Sequence, residues 1–158
     1  MEGGSKFKMY LHDAVRLLTE HDIYGITTLY QFLNPDDPPI DINNESLKLW
    51  QEILANPSVS MLGYEYDDEV VSCCTLCVIP NMSRGMKPFG LIENVVTHPN
   101  YRKRGFATTL LKTAQSIAWE LGCYKVMLLT GSQQESTLLF YKKCGFSVDK
   151  KKGFVVYR

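Results

Sequence analysis

Arg102, Lys103, Arg104 and Gly105 stand together where one pattern of apolar residues gives way to another. Before them Val95-Val96-Thr97 is β-branched and strand-like, while after them Ala107, Leu110, Leu111, Ala114, Ile117, Ala118 and Leu121 recur at helical spacing until Gly122. The first N–H groups of such a helix lack intrahelical partners, and its dipole is positive at that end. With three cations added, the turn should bind an anion, a phosphate above all. Two other phosphate devices are excluded, because the chain has neither Gly-x-x-x-x-Gly-Lys-Ser/Thr nor Gly-x-Gly-x-x-Gly. What remains is Arg-x-x-Gly-x-Ala, which by itself also fits an ordinary helix start with surface cations.

The flanks narrow the choice. Ile92-Glu93-Asn94-Val95-Val96 leads into the basic turn at Tyr101-Arg102-Lys103-Arg104-Gly105, and Phe140-Tyr141-Lys142-Lys143-Cys144-Gly145-Phe146 follows. These stretches resemble the GCN5-related N-acetyltransferase (GNAT) superfamily, well from about Leu62 to Phe146 and loosely before that. The resemblance implies an α/β GNAT fold: a single mixed central sheet, an antiparallel meander plus a splayed parallel strand pair, with helices on both faces. It implies acetyl-coenzyme A as acyl donor, its pyrophosphate on Arg102, Lys103, Arg104, Gly105, Phe106, Ala107 and Thr108. Pantetheine would run like an added strand along the backbone of Val95, Val96 and Thr97. Ala107 stands where many members have a second glycine, a variant the pattern admits. Gln134 falls where many have a coenzyme-contacting asparagine.

Acetyl transfer to an amine needs a neutral nitrogen nucleophile, stabilisation of the developing oxyanion, and a proton for the departing thiolate. Tyr141 matches the tyrosine that the superfamily commonly uses as that acid, and it would also touch the coenzyme; a packing tyrosine is the alternative. Glu93 is the candidate base, directly or through water, or else a substrate contact. Ile92-Glu93 followed by an amide, with Gly122-Cys123-Tyr124-Lys125, is further similar to glucosamine 6-phosphate N-acetyltransferases, where residues matching Glu93, Asn94 and Ser132 meet the sugar. The acidic stretch of those enzymes is here Thr130-Gly131-Ser132-Gln133-Gln134, which leaves the acceptor open. The expected activity is transfer from acetyl-coenzyme A to a primary amine of a small molecule, an aminosugar among the candidates. The competing reading is a non-catalytic acyl-coenzyme A binding or sensing domain.

The chain as a whole agrees with a small globular enzyme. Its 158 residues, 45% hydrophobic and 22% charged, suit one domain over 13–158 behind a loose or vector-derived leader at 1–12. Seventeen acids offset seventeen lysines and arginines, so no global field recruits nucleic acid or an anionic membrane. No apolar run is long enough to span a bilayer and the first six residues lack a signal-peptide core, so a cytoplasmic location is expected. A homodimer stays open. Cys74-Thr75-Leu76-Cys77 is formally Cys-x-x-Cys, but strand alternation sends its cysteines to opposite faces, where they share neither disulfide nor zinc. Free cysteines as small core hydrophobes are the expectation, and no metal is expected.

The elements that must position these residues can be read in order. A strand over Ala14 to Leu18 precedes Thr19, a helix cap with Asp22 as short-armed capping acid, and a helix runs to Leu33 before Asn34-Pro35. A second helix spans Asn44 to Ala55; the resemblance makes this pair one wall of the acceptor site, while composition alone allows a solvated connection. Strands are predicted over 58–66, 69–80 and 89–97, a helix over 104–121, and a buried strand over 125–130 parallel to 89–97. A helix over Glu135 to Lys143 should pack Leu138, Leu139 and Tyr141 or Lys142 inward and end at Gly145. Phe146 to Val148 and Phe154 to Tyr157 should then form a hairpin around the solvated Lys150-Lys151-Lys152-Gly153 turn.

Overall fold

Strand and helix periods sort the chain into three layers. In a computed structural model, which describes residues 12–158, one five-stranded sheet lies between helices. The leader expected at 1–12 lies outside the described residues except for His12. The strands β1 (Val15–Leu17), β2 (Val59–Tyr66), β3 (Glu69–Ile79), β4 (Phe89–Thr97) and β5 (Val126–Leu128) are neighbours in sequence order. The first four pair antiparallel, and β5 runs parallel to β4 with Gly90, Leu91 and Ile92 opposite Val126, Met127 and Leu128. Two helices, α1 (Ile23–Leu33) and α2 (Asn44–Ala55), cover one face. A four-residue segment, α3 (Ser83–Met86), joins β3 to β4, and α4 (Phe106–Glu120) with α5 (Glu135–Lys143) covers the other face.

Each face has its own core. Leu110, Leu111, Ala114, Ile117 and Ala118 of α4 are wholly buried on Leu62, Cys74, Leu76 and Ile92. Each leucine or isoleucine so buried stabilises the fold by about 1.5–3 kcal/mol, which is why the helical stripe fixes α4 across the sheet. On the opposite face Ile23, Ile26, Leu29 and Trp50 pack on Leu18, Met61, Cys73 and Val96. Cys73 and Cys74, adjacent in β3, thus enter different cores, as a two-residue period requires. Gly90 lets β5 and α4 close on β4: a Cβ there would lie 3.2 Å from Val126 Cγ2 and 3.3 Å from Leu76 Cδ1.

The entry to α1 is pinned by charge. The Asp22 carboxylate accepts from the Thr19 N–H at 2.7 Å and takes both Arg16 Nη groups at 2.8 Å, while Arg16 Nε reaches Glu65 on β2. The Arg16 guanidinium, chiefly by hydrogen bonding, holds the Asp22 carboxyl down at about 2 against the opposing effect of burial.

Three expectations need correction. Residues 146–158 form no strand, so the expected hairpin is absent, and Phe154 and Val156 are each 93% exposed. The outer edge of β5 is the nearest open ladder, but β5 is only three residues long, and residues 146–158 do not add to it. The last strand spans 126–128 rather than 125–130, because its pairing with β4 ends at Ile92, and as the edge of the sheet it is not buried: Met127 is exposed and Val126 and Leu128 are half-buried. In α5, Phe140 and Tyr141 turn to the core, whereas Leu139 and Lys142 are exposed.

Candidate active site

The site begins with a fault in β4. Cys73 pairs with Val96 and Thr75 with Glu93, so Asn94 and Val95 together stand opposite Cys74. This is a β-bulge, and Asn94 takes its left-handed conformation at φ 54°. The extra residue shifts the alternation: Ile92 and Val95 pack in the α4-side core, and Val96 in the α1-side core. Glu93, next to Ile92, is exposed on the α1 face. Since β5 pairs no farther than Ile92, the β5-facing backbone edge of residues 93–97 has no ladder partner, and the two strands part.

The turn before α4 closes one end of that opening. Lys103 and Gly105 are left-handed, at φ 63° and 84°. The first helical bond runs from Thr109 N–H to the Gly105 carbonyl, and no side chain caps α4. The N–H groups of Phe106, Ala107 and Thr108 are therefore the free first-turn donors, and all three residues line the opening. Arg102 Nε donates to the Thr97 carbonyl at 3.1 Å, tying the turn to the strand. Arg104 departs from its neighbours: its guanidinium lies 5.3 Å from the Tyr101 ring centre and 5.7 Å from that of Tyr66, and it does not line the opening. The Phe106 ring stacks on Tyr64 at 4.3 Å, leaving its backbone for a ligand.

These features open on a cleft of about 1340 Å³. Its wall brings together Glu93, Asn94, Val95, Val96, Thr97, Arg102, Lys103, Gly105, Phe106, Ala107, Thr108, Ser132, Gln134 and Tyr141, every sequence-selected residue but Arg104. Tyr141 is half-buried on the α4 side. Burial pushes its phenol pKa up, with smaller effects from Cys144, Cys74 and Glu93, so it holds its proton across neutral pH. Ser132 is bound into its own loop: its hydroxyl donates to Thr137 Oγ1 at 3.2 Å and accepts from the Gln134 N–H at 3.3 Å.

Sequence reasoning missed Tyr30. It packs in the α1-side core, where burial and then Cys73 push its phenol up to about 12 against the opposing effect of the polar groups of Thr75 and Asn94. In the sequence Tyr30 is only one member of an apolar stripe. Among the described residues all five cysteines are free, no group of three or more His, Cys, Asp or Glu side chains is placed to hold a metal, and no helix is long and apolar enough to cross a membrane.

Known proteins share this architecture. The acetyltransferase (GNAT) family model matches residues 26–146. A glucosamine 6-phosphate N-acetyltransferase from Trypanosoma brucei brucei is 35% identical over 82 residues, 52% of this chain and 54% of its own. Its counterpart from Schizosaccharomyces pombe is 32% identical over 49% of this chain and 68% of its own. The chain spans about half the length of the first curated relatives it matches. Among solved structures, a provisionally assigned acetyltransferase from Agrobacterium tumefaciens is 36% identical with a TM-score of 0.86, over 91% of this chain and 99% of that one. The family match reaches every helix and strand that walls the cleft, from α1 to α5, and the chain belongs to the GNAT family of acetyltransferases.

Proposed function

We propose that the protein transfers the acetyl group of acetyl-coenzyme A to a primary amine of a small molecule by direct attack. The observation that carries this reading is that one cleft crosses the sheet at the parting of β4 and β5, with the uncapped start of α4 on one face and Glu93 on the other. Two substrates entering from opposite faces would meet at the bulge.

The donor's pyrophosphate suits the Phe106, Ala107 and Thr108 N–H groups together with Arg102 and Lys103, where dipole and charge act alike. Its pantetheine amides suit the unpaired edge of residues 93–97. Glu93, directly or through water, takes a proton from the acceptor ammonium. The neutral nitrogen then attacks the thioester carbonyl, forming C–N, while open backbone donors of the bulged edge serve the oxyanion. As C–S breaks, the Tyr141 phenol gives its proton to the sulfur, and the nitrogen, which carries two protons after attack, sheds one to solvent, from which Tyr141 is reloaded; its raised pKa keeps it loaded. Relatives acting on glucosamine 6-phosphate support an aminosugar as one candidate acceptor.

Thiol release by the purified protein with acetyl-coenzyme A and a panel of primary amines tests this. Acetyl-amine formation with stoichiometric free coenzyme A is expected; donor binding without turnover on any amine would leave only a binding domain.

A further inference from the structure

The acceptor side of the cleft carries a chemical signature of its own. Ile92 and Leu128 are the last paired residues of β4 and β5, and both point into the α4-side core. Parallel strands in register present matched residues to the same face, so the next two, Glu93 and Leu129, both face the α1 side. They are the first residues beyond the parting, and Leu129 is 58% exposed. Phe32 and Leu33 at the end of α1 line the same cleft, as do Val155 and Tyr157 of the C-terminal segment, whose Gly153 passes so close that a Cβ would lie 2.6 Å from Leu129 Cδ2.

Charge separates the two ends. Among the described lining residues only Glu93, Arg102 and Lys103 are charged. Both cations belong to the turn before α4, where a pyrophosphate would use them, and Arg102 is also held by Thr97. Lys150, Lys151 and Lys152 are exposed on the tail and do not line the cleft. A phosphorylated acceptor would therefore bring its dianion towards a wall whose one charge is the Glu93 carboxylate and whose neutral side chains, Asn34 and Asn94 beside Phe32, Leu129, Val155 and Tyr157, offer it no cation. An amine on an apolar body matches both features, its ammonium at Glu93 and its carbon skeleton on Leu129 and Phe32.

We infer that the acceptor is an unphosphorylated primary amine whose nitrogen is carried on an apolar or aromatic body, selected by Leu129 beside Glu93. This rests on the acetyltransferase reading above and narrows it. The test compares phenethylamine, tryptamine, glucosamine and glucosamine 6-phosphate with the full chain and acetyl-coenzyme A, with donor binding followed separately by calorimetry. The expected result is a kcat/KM for the two arylalkylamines at least tenfold above that for glucosamine 6-phosphate. Leu129→Asn should lower that value about tenfold through KM, with donor affinity unchanged. Preference for glucosamine 6-phosphate, or donor binding with no turnover of either arylalkylamine, would overturn the inference. Absence of donor binding would instead overturn the acetyltransferase reading beneath it.

Discussion

Arg102 Nε donates to the carbonyl of Thr97 at 3.1 Å, which ties the turn that starts α4 to the end of β4, where the β5-facing edge is open. Arg104, two residues on, is held over Tyr66 and Tyr101 instead. The three neighbouring cations should therefore differ in effect. Arg102→Ala is expected to weaken acetyl-coenzyme A binding about tenfold, near 1.4 kcal/mol, and Arg104→Ala to leave it within about twofold. Calorimetric titration of both variants checks this; equal losses would mean that diffuse charge, rather than the tied turn, binds the donor.

Gly105 makes a different demand. It sits at φ 84° with no heavy atom within 4 Å of a hypothetical Cβ, so a side chain there meets a backbone penalty but no clash. For a β-branched residue that penalty is about 1–3 kcal/mol, and relief of it would tilt the Phe106 and Ala107 N–H groups away from the cleft. Gly105→Val should weaken donor binding at least tenfold while circular dichroism stays native. Unchanged affinity would remove the turn from the site.

Much of this was legible in the sequence, for reasons that also mark where legibility ends. The α4 stripe buries a whole face, so its period is written in residue types, and Asn56-Pro57 marks where α2 ends; the Asn43 side chain that caps its start is seen only in the structure. The bulge at Asn94 left only an amide within a β-branched run. Tyr30 acquires its place from the rotation of α1 over that bulge, and Arg104 from two tyrosines distant in the chain. The tail misled because Phe154 to Tyr157 has strand-forming residues, but the open edge beside it, that of β5, is only three residues long and is left unpaired. Local pattern reports propensity, whereas strand formation requires a partner.

The Arg16–Asp22 fork predicts how the fold meets acid. The Asp22 carboxyl is held at about 2, below its ordinary 3.8, so it binds fewer protons folded than unfolded at intermediate pH. Its contribution is present above the ordinary value and is lost as pH falls from about 4 towards 2. Asp22→Asn should lower stability by about 1–2 kcal/mol at pH 7. Urea unfolding of both proteins from pH 7 to pH 2.5 should show the gap narrowing below about pH 4; a gap constant with pH would assign the loss to the Thr19 cap alone.

Glu93 stands exposed on the α1 face, away from the turn that would hold the donor. Glu93→Gln keeps shape and removes basicity, so donor affinity should stay near wild type while turnover at neutral pH falls at least tenfold. The deficit should shrink as pH rises and the free acceptor amine deprotonates by itself. A pH–rate profile of kcat/KM for the two proteins decides it, since a deficit that persists unchanged to high pH would make Glu93 a substrate contact.

Tyr141 lies half-buried on the α4 side of the cleft, at the foot of the parting strands, with Phe140 at 5.0 Å and Phe146 at 6.2 Å between ring centres. Burial raises its pKa, so at neutral pH it is a proton donor awaiting a base, and a departing thiolate is such a base. Tyr141→Phe preserves both ring contacts and deletes only the hydroxyl. If that hydroxyl protonates sulfur in the transition state, single-turnover acetyl transfer should slow about a hundredfold or more, with donor affinity and melting temperature close to wild type. If the hydroxyl only packs, its loss would leave the rate intact, or lower rate and stability together by the roughly 1–3 kcal/mol of an abandoned hydrogen-bond partner. A donor whose leaving group is a less basic thiolate sharpens the distinction: it needs little protonation to depart, so the Phe variant should recover most of its rate with that donor and none with acetyl-coenzyme A.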